Sequence, residues 1–162
     1  MADKREEILE RLRAIALAAQ TGAGIVTVVR NRQLLQNEER PAMVILDGDE
    51  RPAFTPNAAA ADRYAGVRPV LTKMSPELYL LLDEARPTGL TAAAENVGTV
   101  LNDKRIKLCN AITNDAALKA LLGSNGGIFY NGCVTDLKSG SPLTGQMRLD
   151  FSFNYLFNPT AS

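Results

Sequence analysis

Met147-Arg148-Leu149-Asp150-Phe151-Ser152-Phe153-Asn154-Tyr155-Leu156-Phe157 alternates apolar with polar residues at every step except Leu156. Successive side chains on a strand point to opposite faces, so this stretch has one apolar face and one polar face. A period of two held this long predicts a central strand, antiparallel to a neighbour. Its apolar face must be covered, and the covering elements lie earlier in the chain.

Moving outward, Gly126-Gly127 leads into a strand at Ile128-Phe129-Tyr130, and the turn-rich stretch Lys138-Ser139-Gly140-Ser141-Pro142 joins it to the last strand. Before these, a short helix is expected over 115–122, capped by Asn114 and ended by Gly123. A long helix is expected over 91–112, with Thr91 as its N-cap. Val97, Val100, Leu101, Leu108 and Ile112 form its buried stripe, and Lys104 and Lys107 lie outside it. Leu78 to Leu82 reads as a short strand, with helix as the alternative. Ser75-Pro76 separates it from a strand at Val67 to Met74, which Pro69 places near an edge.

The first helix shows a face of Ile8, Leu9, Leu12, Ile15, Ala16 and Ala19, with Glu7 and Arg11 four apart on the outside; Gly22 and Gly24 stop it. Ile25 to Val29 is rich in β-branched residues and predicts a strand. Met43-Val44-Ile45-Leu46 is a second strand, apolar at consecutive positions and so covered on both faces, and Asp47-Gly48-Asp49 ends it as a turn. Residues 49–66 read as a long irregular loop and 158–162 as a flexible tail. The fold class is therefore α+β. One mixed, largely antiparallel sheet is packed by an N-terminal helix and a second long helix, with long projecting loops. Leu149, Phe151, Phe153 and Tyr155 should face Leu12, Ile15, Leu101 and Leu108.

The 162 residues make one domain. Lys plus Arg and Asp plus Glu are 18 each, so net charge gives no case for a nucleic-acid or anionic-membrane partner. There is no histidine, which removes Ser-His-Asp triads, Cys-His dyads, His-ligated zinc and imidazole switches. Carboxylate, lysine and tyrosine chemistry remains open, but no motif for it is visible, and neither an active site nor a cofactor is expected. Cys109 and Cys133 are too few and too far apart for a zinc knuckle or a Cys-x-x-Cys pair. They read as small core residues, a single disulfide being the alternative. Met1 to Arg13 carries eight charges and no apolar core of a signal, and the apolar runs are too short to span a bilayer, so a soluble protein of a reducing compartment is expected.

Three motifs bear on function. Gly22-Ala23-Gly24 follows a helix and precedes a strand, the reverse of a dinucleotide-binding turn. Asp47-Gly48-Asp49-Glu50 reads as a solvated turn, a subunit contact or a cation site, and it lacks the ligand spacing of a calcium loop. Arg30, Arg32 and Arg40 flank a polar loop offset by Glu38 and Glu39, either a solvated loop or a strip of inter-subunit ion pairs. Candidate interface residues are thus Arg30, Arg32, Glu38, Glu39, Arg40, Asp47, Asp49 and Glu50.

The layout of these pieces resembles the tail terminator (minor tail) proteins of long-tailed bacteriophages. The resemblance covers nearly the whole chain: the helix Arg5 to Ala19, Val26-Thr27-Val28-Val29-Arg30-Asn31-Arg32, Pro76-Glu77-Leu78-Tyr79, Asp115-Ala116-Ala117-Leu118 before Gly126-Gly127-Ile128, and the final alternating strand. Its sharpest piece is Arg40-Pro41-Ala42-Met43-Val44-Ile45-Leu46-Asp47-Gly48-Asp49-Glu50. The resemblance implies a structural virion protein without an active site or cofactor. It would act as a ring, usually of six subunits, that caps the head-proximal end of the tail tube, meets the head connector and lets DNA through its lumen without specific binding. The ring would assemble in the host cytoplasm and contact no membrane. On that expectation, Arg30 to Pro41 and residues 49–66 are ordered mainly by neighbouring subunits or the tube. A head-completion or neck connector protein, and a small cytosolic ligand-binding or regulatory domain, are the alternatives.

Overall fold

The computed structural model describes residues 3–32, 35–53, 70–82, 92–138 and 144–158. Among them the chain runs α1 (Lys4–Ala23), β1 (Thr27–Arg30), a 3-10 turn (Asn37–Glu39), β2 (Ala42–Pro52), β3 (Val70–Leu81), α2 (Ala92–Asn114), α3 (Ala116–Leu122), β4 (Gly127–Lys138) and β5 (Thr144–Phe157). The five strands form one sheet in the order β1-β2-β3-β5-β4. β1 is parallel to β2, and every other pair is antiparallel. This is the expected α+β fold, with helices on one face of a mixed sheet.

β5 behaves as its alternation predicts. Met147, Leu149, Phe151, Phe153 and Tyr155 are buried in one cluster with Leu12, Ile15, Leu101 and Leu108, and β3 and β4 flank it on either side. Its polar series faces the opposite side, where Ser152 is nevertheless buried. β3 sends Met74, Leu78 and Leu80 to the same cluster, paired in register with Phe153, Leu149 and Met147. β2 contributes Met43 and Ile45, while its alternate residues Ala42 and Val44 are also buried.

α1 buries Ile8, Leu9, Leu12, Ile15 and Ala16. Asp3 caps its start by accepting from the Arg5 N–H, and Gly24, in the left-handed region at φ 61°, ends it. Gly22 lies inside the helix rather than stopping it. Arg11 reaches across to α3, where Asp115 Oδ1 and Oδ2 accept from its Nε and Nη2 at 2.9 and 2.6 Å. The same carboxylate caps α3 by accepting from the Leu118 N–H at 2.7 Å. Asp115, not Asn114, is therefore the cap: α2 runs on through Asn114, and Asp115 holds the extended backbone of a capping residue. On α2, Val97, Leu101, Leu108 and Ile112 are buried but Val100 is exposed. Lys104 is buried at 6% exposure rather than outside the stripe. Its ammonium donates to the carbonyls of Ala23 and Gly24 at 2.7 and 2.6 Å, where the C-terminal end of α1 favours a cation. Burial still pushes its pKa down.

Four expectations change in the sheet. Val67 to Met74 and Leu78 to Leu82 are not two strands: β3 is continuous from Val70 to Leu81 through Ser75-Pro76. β3 is also central, not near an edge. Asp47-Gly48-Asp49 does not end β2, which continues to Pro52, so 49–52 belongs to a strand and not to a loop. Lastly, the strand expected at Ile128 to Tyr130 extends to Lys138. Thr91, residues 54–69, 139–143 and 159–162 lie outside the described residues.

One feature explains the β2 and β3 differences together. The β2–β3 register shifts between Leu46 and Asp49, so Asp47 and Gly48 form a bulge opposite Pro76. Pro76 has no N–H to give a ladder. The β3–β5 pairing also skips Ser75 and Pro76 and resumes at Glu77 opposite Asp150 without changing register. Gly48 has φ 64°, and a Cβ there would sit 2.0 Å from the Ser75 carbonyl oxygen. Gly48→Ala is therefore expected to destabilise the protein by about 1–3 kcal/mol. Gly22→Ala, with open space around the new methyl in α1, should stabilise it by about 0.5–1 kcal/mol. Urea denaturation of both variants checks the pair; equal midpoints would contradict the bulge argument.

Candidate interaction surfaces

The sequence-derived candidates gather mainly where the start of α1 crosses β1 and β2. Arg30, the last residue of β1, turns toward α1 and is largely buried. Its Nε and Nη2 donate to Asp47 at 2.7 and 2.8 Å. Its Nη1 and Nη2 donate to Glu6 at 2.5 and 2.8 Å, and Nη1 reaches Glu10 at 3.0 Å. Three carboxylates thus converge on one guanidinium. The Arg30 hydrogen bonds hold the pKa of Glu6 and of Asp47 below the usual carboxylate range, and the carboxylates push that of Arg30 up. Asn31, at φ 54°, accepts from the Asp47 N–H at 3.2 Å and fixes the carboxylate's backbone.

Glu50 belongs to a neighbouring chain of contacts. The buried Tyr155 hydroxyl donates to it at 2.8 Å, and Arg5 lies 3.6 Å away. Arg5 also donates to the Gly48 carbonyl at 2.8 Å, tying α1 to the bulge. Burial, then the Glu50 bond, push the Tyr155 phenol up.

Arg32 and Glu39 form a two-pronged pair at 2.6 and 3.0 Å across the polar loop. Glu39 also accepts from the Gln36 N–H, and that bond and Arg32 hold its pKa down. Glu38 is exposed. Arg40 is half-buried, and its Nε has no hydrogen-bond partner among the described residues. The described part of Arg30 to Pro41 is thus anchored by its own chain. Asp49 stands apart on the other face of the sheet. It lines an open groove of about 500 Å³ with Lys73, Glu77, Arg148 and Asp150.

That open face carries a cluster the sequence did not single out. Glu77 and Asp150 are directly opposite in register, a like-charge pair. Arg148 donates to Asp150 at 2.8 and 3.4 Å, and the Tyr79 hydroxyl donates to Glu77 at 2.6 Å. That bond pushes the Tyr79 phenol up. Tyr79 and Arg148 are register partners, so cation and phenol offset the two carboxylates. The sequence hid this because the pairing needs the β3–β5 register. Among the described residues no group of three or more Cys, Asp and Glu could hold a metal ion, and no helix is long and apolar enough to cross a membrane.

The far side of the sheet ends on β4. Both cysteines are free thiols, partly buried against the core, and Arg105 approaches the Cys133 sulfur at 3.6 Å. Phe129, Tyr130 and Val134 are exposed on this edge strand. No family model matches the chain, and no curated protein matches it.

Arg30→Met is expected to lower stability most at neutral pH. The depressed carboxylates contribute stability above the ordinary carboxylate range and lose it as pH falls through their lowered values. The gap between wild type and variant in urea midpoint should therefore narrow steadily on acidification. A gap independent of pH would mean that Arg30 acts through packing alone.

Proposed function

We propose that this chain is a non-enzymatic phage tail terminator, a subunit of a ring that caps the head-proximal end of a tail tube and forms the joint to the head connector. The observation that supports the reading most is the sheet itself. Its two outer strands, β1 and β4, stand at opposite ends, and among the described residues neither pairs with a further strand. Two different surfaces at opposite ends of one subunit suit head-to-tail contacts, which close into rings. The layout resemblance supplies the rest: the Arg40 to Glu50 stretch supports the α1 start and the polar loop as one structural unit. On this reading the partners are copies of the chain, the tube protein and the head-completion protein. The tube end templates ring closure by raising the effective concentration of subunits.

Deleting the gene should leave DNA-filled heads beside tails of uncontrolled length, seen by negative-stain electron microscopy. Restoring the gene in trans should return tail length to normal. Normal tails in the deletion would overturn the proposal. Loss of tails altogether would point to a tube or initiator role, and recovery bound to portal instead of tube would point to a neck connector.

A further inference from the structure

We infer that copies of this chain join by strand pairing, the outer edge of β4 on one copy against the outer edge of β1 on the next, so that the sheet continues across the seam. This deepens the ring reading by naming its contact, and it is testable on purified protein without a phage.

Strand directions come first. β1 and β2 run together; β3 runs against β2, β5 against β3 and β4 against β5. β1 and β4 therefore run in opposite senses. Two copies placed side by side in the same orientation bring β4 against β1 as an antiparallel pair, with all helices on the same side. The reverse face of each sheet stays continuous as well.

The edges themselves are the second argument. β4 is 12 residues long. An edge of that length exposes a row of backbone donors and acceptors, and monomeric proteins blunt such edges with lysine, proline or very short strands. β4 contains no proline, and its one lysine, Lys138, stands at the very end, so Gly127 to Leu137 has neither device. Instead it exposes Phe129 at 49%, Tyr130 at 41% and Val134 at 53%. The β4–β5 register shifts between Tyr130 and Gly132, and that extra residue puts Phe129 and Val134 on the same face, opposite Ser152 and Arg148. A bulge of this kind protects an edge by twisting it; here it also aligns two apolar side chains.

The third argument is complementarity. In the antiparallel sense the Tyr130 end of β4 meets the Arg32 end of β1; Tyr130 lies on the helix side with Phe151, while Phe129 lies on the other face with Ser152. A groove of about 490 Å³ lies at the Arg32 end, lined by Arg13, Val28, Val29 and Arg32 among others. Guanidinium groups beside aromatic rings make favourable cation–π contacts. At the other end, Val134 is level with Val29 in the cross-sheet row Val29-Val44-Tyr79-Arg148-Val134, and Val26, 53% exposed, lies just beyond the Thr27 end of the same edge. The exposed Asp136 arrives at the same end, so no like charges are forced together there.

The experiment uses two variants at exposed positions, Val134→Lys on β4 and Val26→Lys before β1. Sedimentation velocity on the full chain up to millimolar concentration reads association. Wild type is expected to self-associate in a concentration-dependent way. Each variant alone should associate at least about tenfold more weakly. Mixed in equal amounts, they should form a one-to-one dimer, because the intact β4 of one meets the intact β1 of the other. That rescue also shows both variants to be folded. A wild-type chain monomeric at millimolar concentration overturns the inference, whether because nothing binds or because a segment of the same chain already covers the edge. So does a Val26→Lys chain that associates as wild type, which would mean β4 pairs with β4, and so does a mixture that gives no dimer. Normal tail length in the gene deletion would remove the tail role and leave the seam standing; loss of the seam would leave the tail phenotype as it is.

Discussion

Ser75–Pro76 sits in the middle of the sheet, and the strand beside it has to give way. A proline in a central strand removes a ladder donor and brings a ring where a flat neighbour would lie. β2 answers with the Asp47–Gly48 bulge, and Gly48 packs so closely on the Ser75 carbonyl that no side chain fits. The extra residue changes which side chains face α1. Without it, Asp47 and Asp49 would share that face; with it, Asp47 and Glu50 do. Asp47 then takes Arg30, and Glu50 takes Tyr155 and Arg5. Asp47 meets Arg30 either way; the contacts of Glu50 with Tyr155 and Arg5 are what one proline two strands from the sheet edge adds to the start of α1.

The apolar alternation of β5 made the fold legible, because a period of two is local and needs no partner to be seen. The α1 stripe and the core pairing of Phe151 and Phe153 with Leu12 and Leu101 were legible for the same reason. What stayed hidden depended on non-local geometry. Ser75-Pro76 carries every sign of a break, and only the compensating Asp47-Gly48 across the sheet lets the strand run through; the two signals lie nearly thirty residues apart in sequence, and each alone reads as a turn. Lys104 reads as a solvent-facing helix residue until the end of α1 supplies two carbonyls for it. β4 beyond Tyr130 was lost because Asn131-Gly132 breaks the alternation, which is what a bulge does.

The candidate interface residues were partly legible in the same sense. Arg30 and Asp47 read as charges near turns, and the structure brings them together, but with Glu6 and Glu10 from α1, which no local pattern connects to them. Arg32 and Glu39 pair across the loop. Asp49 leaves the set for the open face because the bulge reverses its direction. These ion pairs tie the α1 start, β1 and β2 into one rigid end of the fold.

That rigidity has a bearing on assembly. A short edge strand such as β1, four residues long and held on one side by β2, could fray and would make a poor docking rail by itself. Arg30 fastens its last residue to Asp47 and to α1, and the Asn31 N–H bonds the Ile45 carbonyl just beyond it. The strand is therefore fixed in place before any partner arrives, so a partner does not have to order it on binding. β4 is fixed differently, through its whole length by β5 and through Tyr130 packed against Phe151, the rings tilted by 53° with centroids 5.2 Å apart. Both rails are preorganised, one by charge and the other by apolar packing. Conditions that weaken the first need not weaken the second. Acid would loosen the β1 end, as Glu6 and Asp47 take up protons on passing through their lowered values, whereas the Tyr130–Phe151 packing holds no carboxylate, so the proposed seam should weaken first on its β1 side.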